Sequence, residues 1–246
     1  MIIGSDIIHF DSLDSTNTTA SLMIREKKLS EGTVICASFQ MAGKGQYGNI
    51  WESERGKNLL FSIILYPSSV SPDEQFLISM AISLGICDFL KHYLSNIKIK
   101  WPNDIYVNGG KIAGILIENS IIGQIIEYTV AGIGININQE IFNQGIPDPA
   151  SLKIITGKDF DTGKCLRQVL NNLDKRYKQL LNGDKSAIRN EYISNLYKAG
   201  KWHNYKSEGK IFKGRISGIS ESGLLIIEQV GKKSREFSFK AVEYLH

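Results

Sequence analysis

The chain has 246 residues, of which 42% are hydrophobic and 22% charged, enough for one good-sized globular core and a small second domain. Its formal net charge of +4 describes a mildly basic solvated surface and is weak support for a nucleic-acid-binding class. Cys36, Cys87 and Cys165 are too widely spaced for a disulfide framework or a zinc pattern, and neither a signal peptide nor a membrane-length apolar run is evident. The cytoplasm is therefore the expected location.

In chain order, Ser15 to Lys28 reads as a helix entered through capping residues, with Leu22, Met23 and Leu29 as a short apolar face. Thr33 to Phe39 and Asn58 to Tyr66 read as strands, the second apolar enough to be buried on both sides. Ser71-Pro72-Asp73-Glu74 combines a capping box with proline at the first helical position. The helix it opens extends to about Leu94, with Phe76, Leu77, Met80, Leu84, Cys87 and Leu90 or Leu94 along one face.

Short strands are expected at Ile97 to Trp101, Ile105 to Val107 and Lys111 to Glu118, the last two joined by a hairpin turn at Asn108-Gly109-Gly110. Gln124 to Asn136 reads as a long strand, able to pair across a homodimer if it lies at a sheet edge. Two helices follow, at about Gly163 to Leu181 and Asp184 to Ala199. This mixture without regular βαβ alternation indicates an α+β fold. Residues 204–246 contain four or five short strands separated by Glu208-Gly209, Ser217-Gly218, Glu221-Ser222-Gly223 and Gly231-Lys232-Lys233, the pattern of a small SH3-type barrel. The expected division is a catalytic domain over 1–200 and a small domain over 201–246.

Gly43-Lys44-Gly45-Gln46-Tyr47-Gly48 has the form G-x-G-x-x-G, but no helix opens at its third glycine, as a dinucleotide fingerprint requires. No kinase signature and no Walker A sequence accompanies it. It reads instead as a mobile loop bearing a cation, able to fold over a ligand and bring backbone N–H groups near phosphate; an ordinary surface loop is the competing reading.

Lys100-Trp101-Pro102-Asn103-Asp104, followed by Lys111-Ile112-Ala113-Gly114, places two lysines, a carboxylate and an amide on segments that otherwise read as buried strand. Buried charges need a partner or a ligand, so the pattern points to an anionic substrate held beside a carboxylate. A single such lysine would mean only an edge strand guarded against aggregation. Pro102 removes a ladder donor, and Gly114 inside a strand marks a close approach of ligand or backbone.

Taken in order, Ser15-Thr16-Asn17, Gln40, the Gly43 to Trp51 loop, Lys100 to Asp104, Lys111 with Gly114, and Gly132-Ile133-Gly134-Ile135-Asn136 resemble the biotin protein ligases over essentially the whole chain. Gly223-Leu224-Leu225-Ile226-Ile227-Glu228 extends the resemblance into the small domain. It implies a catalytic domain related to class II aminoacyl-tRNA synthetases, and formation of biotinyl-5′-AMP from biotin and ATP with magnesium. Transfer to a lysine of a biotin carboxyl carrier domain would follow. The Ser-Thr-Asn motif begins at position 15, so the expectation is a single-function ligase without a DNA-binding helix-turn-helix.

The same resemblance implies roles for individual residues. Lys111, Asp104 and Lys44 are the expected catalytic group, with Lys111 at the biotin carboxylate and α-phosphate and Asp104 at the incoming lysine amine. Ser15, Thr16, Asn17, Gln40, Gly43, Lys44, Lys111 and Gly114 are expected at biotin, whose ureido ring offers donors and an acceptor. Gly45, Gln46, Trp51, Lys100, Asn103 and Asn136 are expected at ATP. No protein metal site is expected. Lys44 and Gln46 depart from the family, which usually has arginine at the first position and often at the second; lysine keeps the charge but lacks the bidentate fork. Competing readings are a lipoate ligase, whose Arg-Arg-x-Ser-Gly-Gly-Gly type segment is absent, and a non-catalytic biotin-binding regulator. A third is a nucleic-acid module built on Lys210, Lys213, Arg215, Lys232, Lys233 and Arg235, which has little aromatic interleaving to support it.

Overall fold

Two runs rich in β-branched residues form the middle of a seven-stranded sheet in the computed structural model, which describes residues 1–27, 29–143 and 148–245. The strands are β1 (Ile7–Leu13), β2 (Val34–Gln40), β3 (Leu59–Leu65), β4 (Ile97–Lys100), β5 (Asp104–Val107), β6 (Gly110–Ile122) and β7 (Ile125–Ile135). Their spatial order is β1-β2-β3-β7-β6-β5-β4. β1 and β2 are parallel, and all other neighbours are antiparallel. The β5–β6 hairpin turns through Asn108 (φ 51) and Gly109 (φ 89), the pair of positive angles that defines a type I′ turn.

Helix α1 (Thr16–Glu26) covers one face of the sheet, where Ala20 packs with Ile35, Ile64 and Val130. The expected extension of this helix to Lys28 ends outside the described residues. The opposite face, carrying Phe61, Ile63, Leu65, Ala131, Ile133 and Ile135, packs into the main core with α2 (Phe76–Leu90), α4 (Thr162–Leu181) and α5 (Lys185–Ser194). A short α3 (Leu152–Thr156) precedes α4.

Several expectations are corrected. Helix α2 follows a separate 3-10 turn, Pro72–Glu74, and has no single apolar face: Ile78, Ile82, Ile86 and Phe89 are as buried as Leu77 and Met80. The sheet covers one side of it and α4 and α5 the other. β7 lies between β3 and β6, so it offers no edge for pairing across a homodimer; the edges of this sheet are β1 and β4. β1 and α3 escaped the sequence reading, and α5 stops at Ser194 instead of continuing to Ala199.

The second sheet contains β8 (Trp202–Ser207), β9 (Lys210–Ile219), β10 (Leu225–Gln229), β11 (Arg235–Phe237) and β12 (Glu243–Tyr244), antiparallel in the order β11-β10-β9-β8-β12. Among the described residues β11 and β12 do not pair, so this five-stranded sheet is not a closed barrel. Ser217-Gly218, expected to separate strands, lies inside β9 opposite a register shift in β10. The sheet docks on the Lys100 to Asp104 segment. Trp101 Nε1 donates to the Gly223 carbonyl at 3.0 Å, and the Phe239 ring lies 5.1 Å from Trp101. No helix among the described residues is long and apolar enough to cross a membrane.

Candidate active site

Strand register builds the site. Leu60, Gly134, Gly114, Asp104 and Lys100 are successive cross-strand partners from β3 to β4. Directly opposed residues share a face, so two glycines form a trough on the α1 side of the sheet with a carboxylate and an ammonium at its end. A parallel row runs Ser62, Gly132, Leu116. Sequence alternation in β7 sends Ala131, Ile133 and Ile135 into the core and turns both glycines toward this hollow.

The missing side chains have an evident use. A Cβ at Gly132 would overlap the Asn17 side chain, and one at Gly134 would overlap the Trp51 indole. A Cβ at Gly114 would lie 2.7 Å from Trp51 Cζ3. Trp51 thus lies on the trough floor. It divides two adjoining hollows.

The first hollow, about 720 Å³ including its open mouth, is walled by Ser15, Thr16, Asn17, Gln40, Lys44, Gly45, Gln46, Asn103, Lys111 and Gly114, among others. Gln40 Oε1 accepts from the Thr16 backbone N–H at 2.8 Å and from Thr16 Oγ1 at 3.0 Å. Ser62 Oγ, fully buried, lies 2.7 Å from Thr16 Oγ1 and 2.6 Å from Asn17 Oδ1. Asn17 Nδ2 donates to Glu118 Oε2 at 2.7 Å and to the Leu116 carbonyl at 3.3 Å. Both ends of the Asn17 amide are therefore engaged, and that residue serves as a fixed wall. Ser15 is buried at the N-cap without making a side-chain cap bond.

The second hollow, about 1020 Å³ with its open side, shares Trp51, Asp104 and Lys111 with the first and adds Lys100, Tyr106 and Asn136. At the junction Lys111 Nζ lies 2.7 Å from Asp104 Oδ1, both side chains about three-quarters buried (26% and 21% exposed). Lys111 is fixed by its backbone: its N–H donates to the Asp148 carbonyl at 2.7 Å, and the Ala150 N–H donates to its carbonyl at 2.8 Å. Two screened polar atoms, Trp51 Nε1 and Asn136 Oδ1, have no hydrogen-bond partner among the described residues. Burial, followed by the nearby Asp104 charge, pushes the Tyr106 hydroxyl up to about 12, so it remains a proton donor at neutral pH.

The glycine loop lies over the cleft. Gly45 N–H donates to the Asn49 carbonyl at 2.6 Å and Trp51 N–H to the Gly43 carbonyl at 2.9 Å, closing a small turn in which Tyr47 has φ 56. Lys240, from the segment between β11 and β12, places its ammonium 4.5 Å from the centre of the Tyr47 ring and reaches the cleft wall. Gly43 does not line the cleft; a Cβ there would overlap the Trp51 carbonyl.

Residues 9–136 match the Biotin/lipoate A/B protein ligase family. The chain belongs to this family. The bifunctional ligase/repressor BirA of Bacillus subtilis (strain 168) is 30% identical over 233 residues, covering 92% of this chain and 70% of that protein. The biotin–[acetyl-CoA-carboxylase] ligase of Paracoccus denitrificans is 29% identical over 221 residues, covering 87% and 90%. The structure of the biotin protein ligase from Aquifex aeolicus in complex with biotin and ATP superposes with a TM-score of 0.81 at 26% identity, covering 98% of this chain and 100% of that one.

The matched ligase-family segment ends at Asn136, and within it the fold gathers the sequence-derived residues around the two hollows, apart from Gly43. Sequence reasoning missed Ser62, Glu118, Tyr106 and Lys240. Ser62 had a signal, as the one hydroxyl in the apolar run Leu59–Leu65. Glu118 had one too, being in phase with Gly114 along β6. Lys240 had none, because only packing of the second sheet brings it here.

Proposed function

We propose that the protein is a biotin–protein ligase acting in the cytoplasm, with residues 1–200 as its catalytic domain and 201–246 as an accessory domain. In the first step a biotin carboxylate oxygen attacks the α-phosphorus of ATP, the bond to pyrophosphate breaks, and biotinyl-5′-AMP forms. In the second, the neutral ε-amine of a carrier-domain lysine attacks the acyl carbon, the amide forms, and AMP leaves as the nitrogen loses its proton. The observation that carries the reading is the Lys111–Asp104 pair at the junction of the hollows. One hollow is walled by hydroxyls and amides suited to a ureido ring. The other holds a lysine without an ion-pair partner among the described residues, and an orphan acceptor at Asn136 suited to an exocyclic amine.

In this reading biotin lies against Ser15, Thr16, Asn17, Gln40 and Gly114, with Ser62 and Gly132 beneath. ATP lies against Trp51, Asn103 and Asn136, with Lys100 at its phosphates, under Gly45 and Gln46 of the loop. Lys111, assisted by Lys44, offsets the repulsion between carboxylate and triphosphate and favours the charge that develops between them. Closure of the Gly43 to Trp51 loop keeps water from the labile adenylate. Magnesium would arrive as part of the ATP substrate, whose phosphates and waters supply most of its ligands. The acceptor is a biotin carboxyl carrier domain of a carboxylase.

Incubation with biotin, ATP and magnesium is expected to yield pyrophosphate and the mixed anhydride, detected by mass. Pyrophosphate release indifferent to biotin would sink the assignment. Asp104→Asn removes the carboxylate that would receive the acceptor amine but leaves Lys111 charged. Single-turnover transfer is expected to fall by roughly 10²-fold or more, with adenylate formation affected far less. Equal loss in both half-reactions would remove the second-step role of Asp104.

A further inference from the structure

Lys100 is held by aromatic rings, and no carboxylate among the described residues pairs with it. Its Nζ lies 3.1 Å from the Tyr106 hydroxyl oxygen, 4.7 Å from the Tyr106 ring centre and 5.5 Å from the Tyr244 ring centre. An aromatic face attracts an ammonium without cancelling its charge. A carboxylate in the same place would restrain the lysine equally and remove the net charge that a phosphate recognises.

Both rings are fixed by other contacts. Tyr106 is buried on β5, with Tyr197 at 5.5 Å. Tyr244 sits on the final strand β12, opposite Tyr205 of β8 in the second sheet, and the two rings pack edge-on at 5.6 Å. Lys198 Nζ holds the chain end by donating to the Leu245 carbonyl at 2.8 Å. The Tyr244 hydroxyl is screened from solvent and has no partner among the described residues, so its ring is what the site uses. The last strand of the second sheet thus closes one side of a box whose other side opens on the hollow with Asn136.

We propose that Tyr244, together with Tyr106, is a positioning residue for ATP: the C-terminal strand restrains Lys100 toward the nucleotide phosphates while leaving its charge uncompensated. This rests on the reading of Lys100 as a phosphate contact under the proposed ligase function. It assigns the second sheet a part in nucleotide affinity. Restraining a long, flexible side chain in advance lowers the ordering cost when ATP binds.

The test is the dissociation constant of a non-hydrolysable ATP analogue with magnesium, measured beside that of biotin on the full chain. Tyr244→Leu is expected to weaken the analogue roughly three- to tenfold and leave biotin unchanged, and Tyr244→Phe to recover most of that loss. In a Lys100→Met background Tyr244→Leu should add nothing, because its effect runs through the lysine. Tyr106→Phe, which removes only the hydroxyl contact, should weaken the analogue several-fold in the parent and not in Lys100→Met; it carries the test if Tyr244→Leu does not fold. Equal effects in both backgrounds, or no effect in the parent, overturn the positioning role. If Lys100→Met itself leaves analogue affinity intact, the phosphate assignment of Lys100 is what fails.

Discussion

Lys111→Ala is expected to abolish biotin-dependent release of pyrophosphate from ATP, lowering the adenylation rate by roughly 10³-fold, about 4 kcal/mol of barrier. Two effects act together. The ammonium that offsets carboxylate–triphosphate repulsion is lost, and Asp104, its partner at 2.7 Å, is left as an uncompensated carboxylate facing an anionic substrate. The paired variant Lys111→Ala with Asp104→Asn is therefore expected to recover part of the loss, the share that comes from the stranded carboxylate and not from the missing ammonium. Rapid-quench measurement of the first turnover separates this from slow product release. Unimpaired pyrophosphate release by Lys111→Ala would end its assignment to the first step.

Gly132→Ala should affect biotin more than any loop substitution. The added methyl overlaps the Asn17 side chain, whose carbonyl oxygen faces Ser62 and whose amide donates to Glu118. Moving that side chain disrupts a buried hydroxyl–amide network in which each unpaired atom costs about 1–3 kcal/mol. Biotin affinity is expected to fall by roughly 10²-fold, read by calorimetric titration, with overpacking lowering stability by about 1–3 kcal/mol. Gly134→Ala instead displaces Trp51 from the trough and should weaken the nucleotide first. Unchanged biotin affinity in Gly132→Ala would mean that Asn17 and Ser62 do not form the floor of the biotin site.

Local chemistry carried the parts of the fold that were legible in advance. Asn108-Gly109 announced its turn because few residues tolerate positive φ, and the run Gln124 to Asn136 announced a long strand, found as Ile125–Ile135. β1 was missed because Ile7-Ile8-His9-Phe10-Asp11-Ser12-Leu13 begins with two apolar residues in a row and lies half exposed at a sheet edge. α2 was misjudged because periodicity reports the face a helix shows to one neighbour. This helix has neighbours on opposite sides.

The sequence by itself determined which chemistry is present: two lysines and a carboxylate around Trp101-Pro102, glycines where backbone must lie bare, and a cationic glycine loop. Those are properties of residue type and short spacing, and they survive without knowledge of pairing. Only the tertiary structure decided that Lys111 faces Asp104, that Gly114 and Gly134 are cross-strand partners, and that Ser62 joins Thr16 and Asn17. It alone brought Lys240 and Tyr244 from the chain end to the site. The physical reason is register. A shift of one residue between β5, β6 and β7 would turn the same side chains to the other face of the sheet, and long-range packing across the main core holds that register in place.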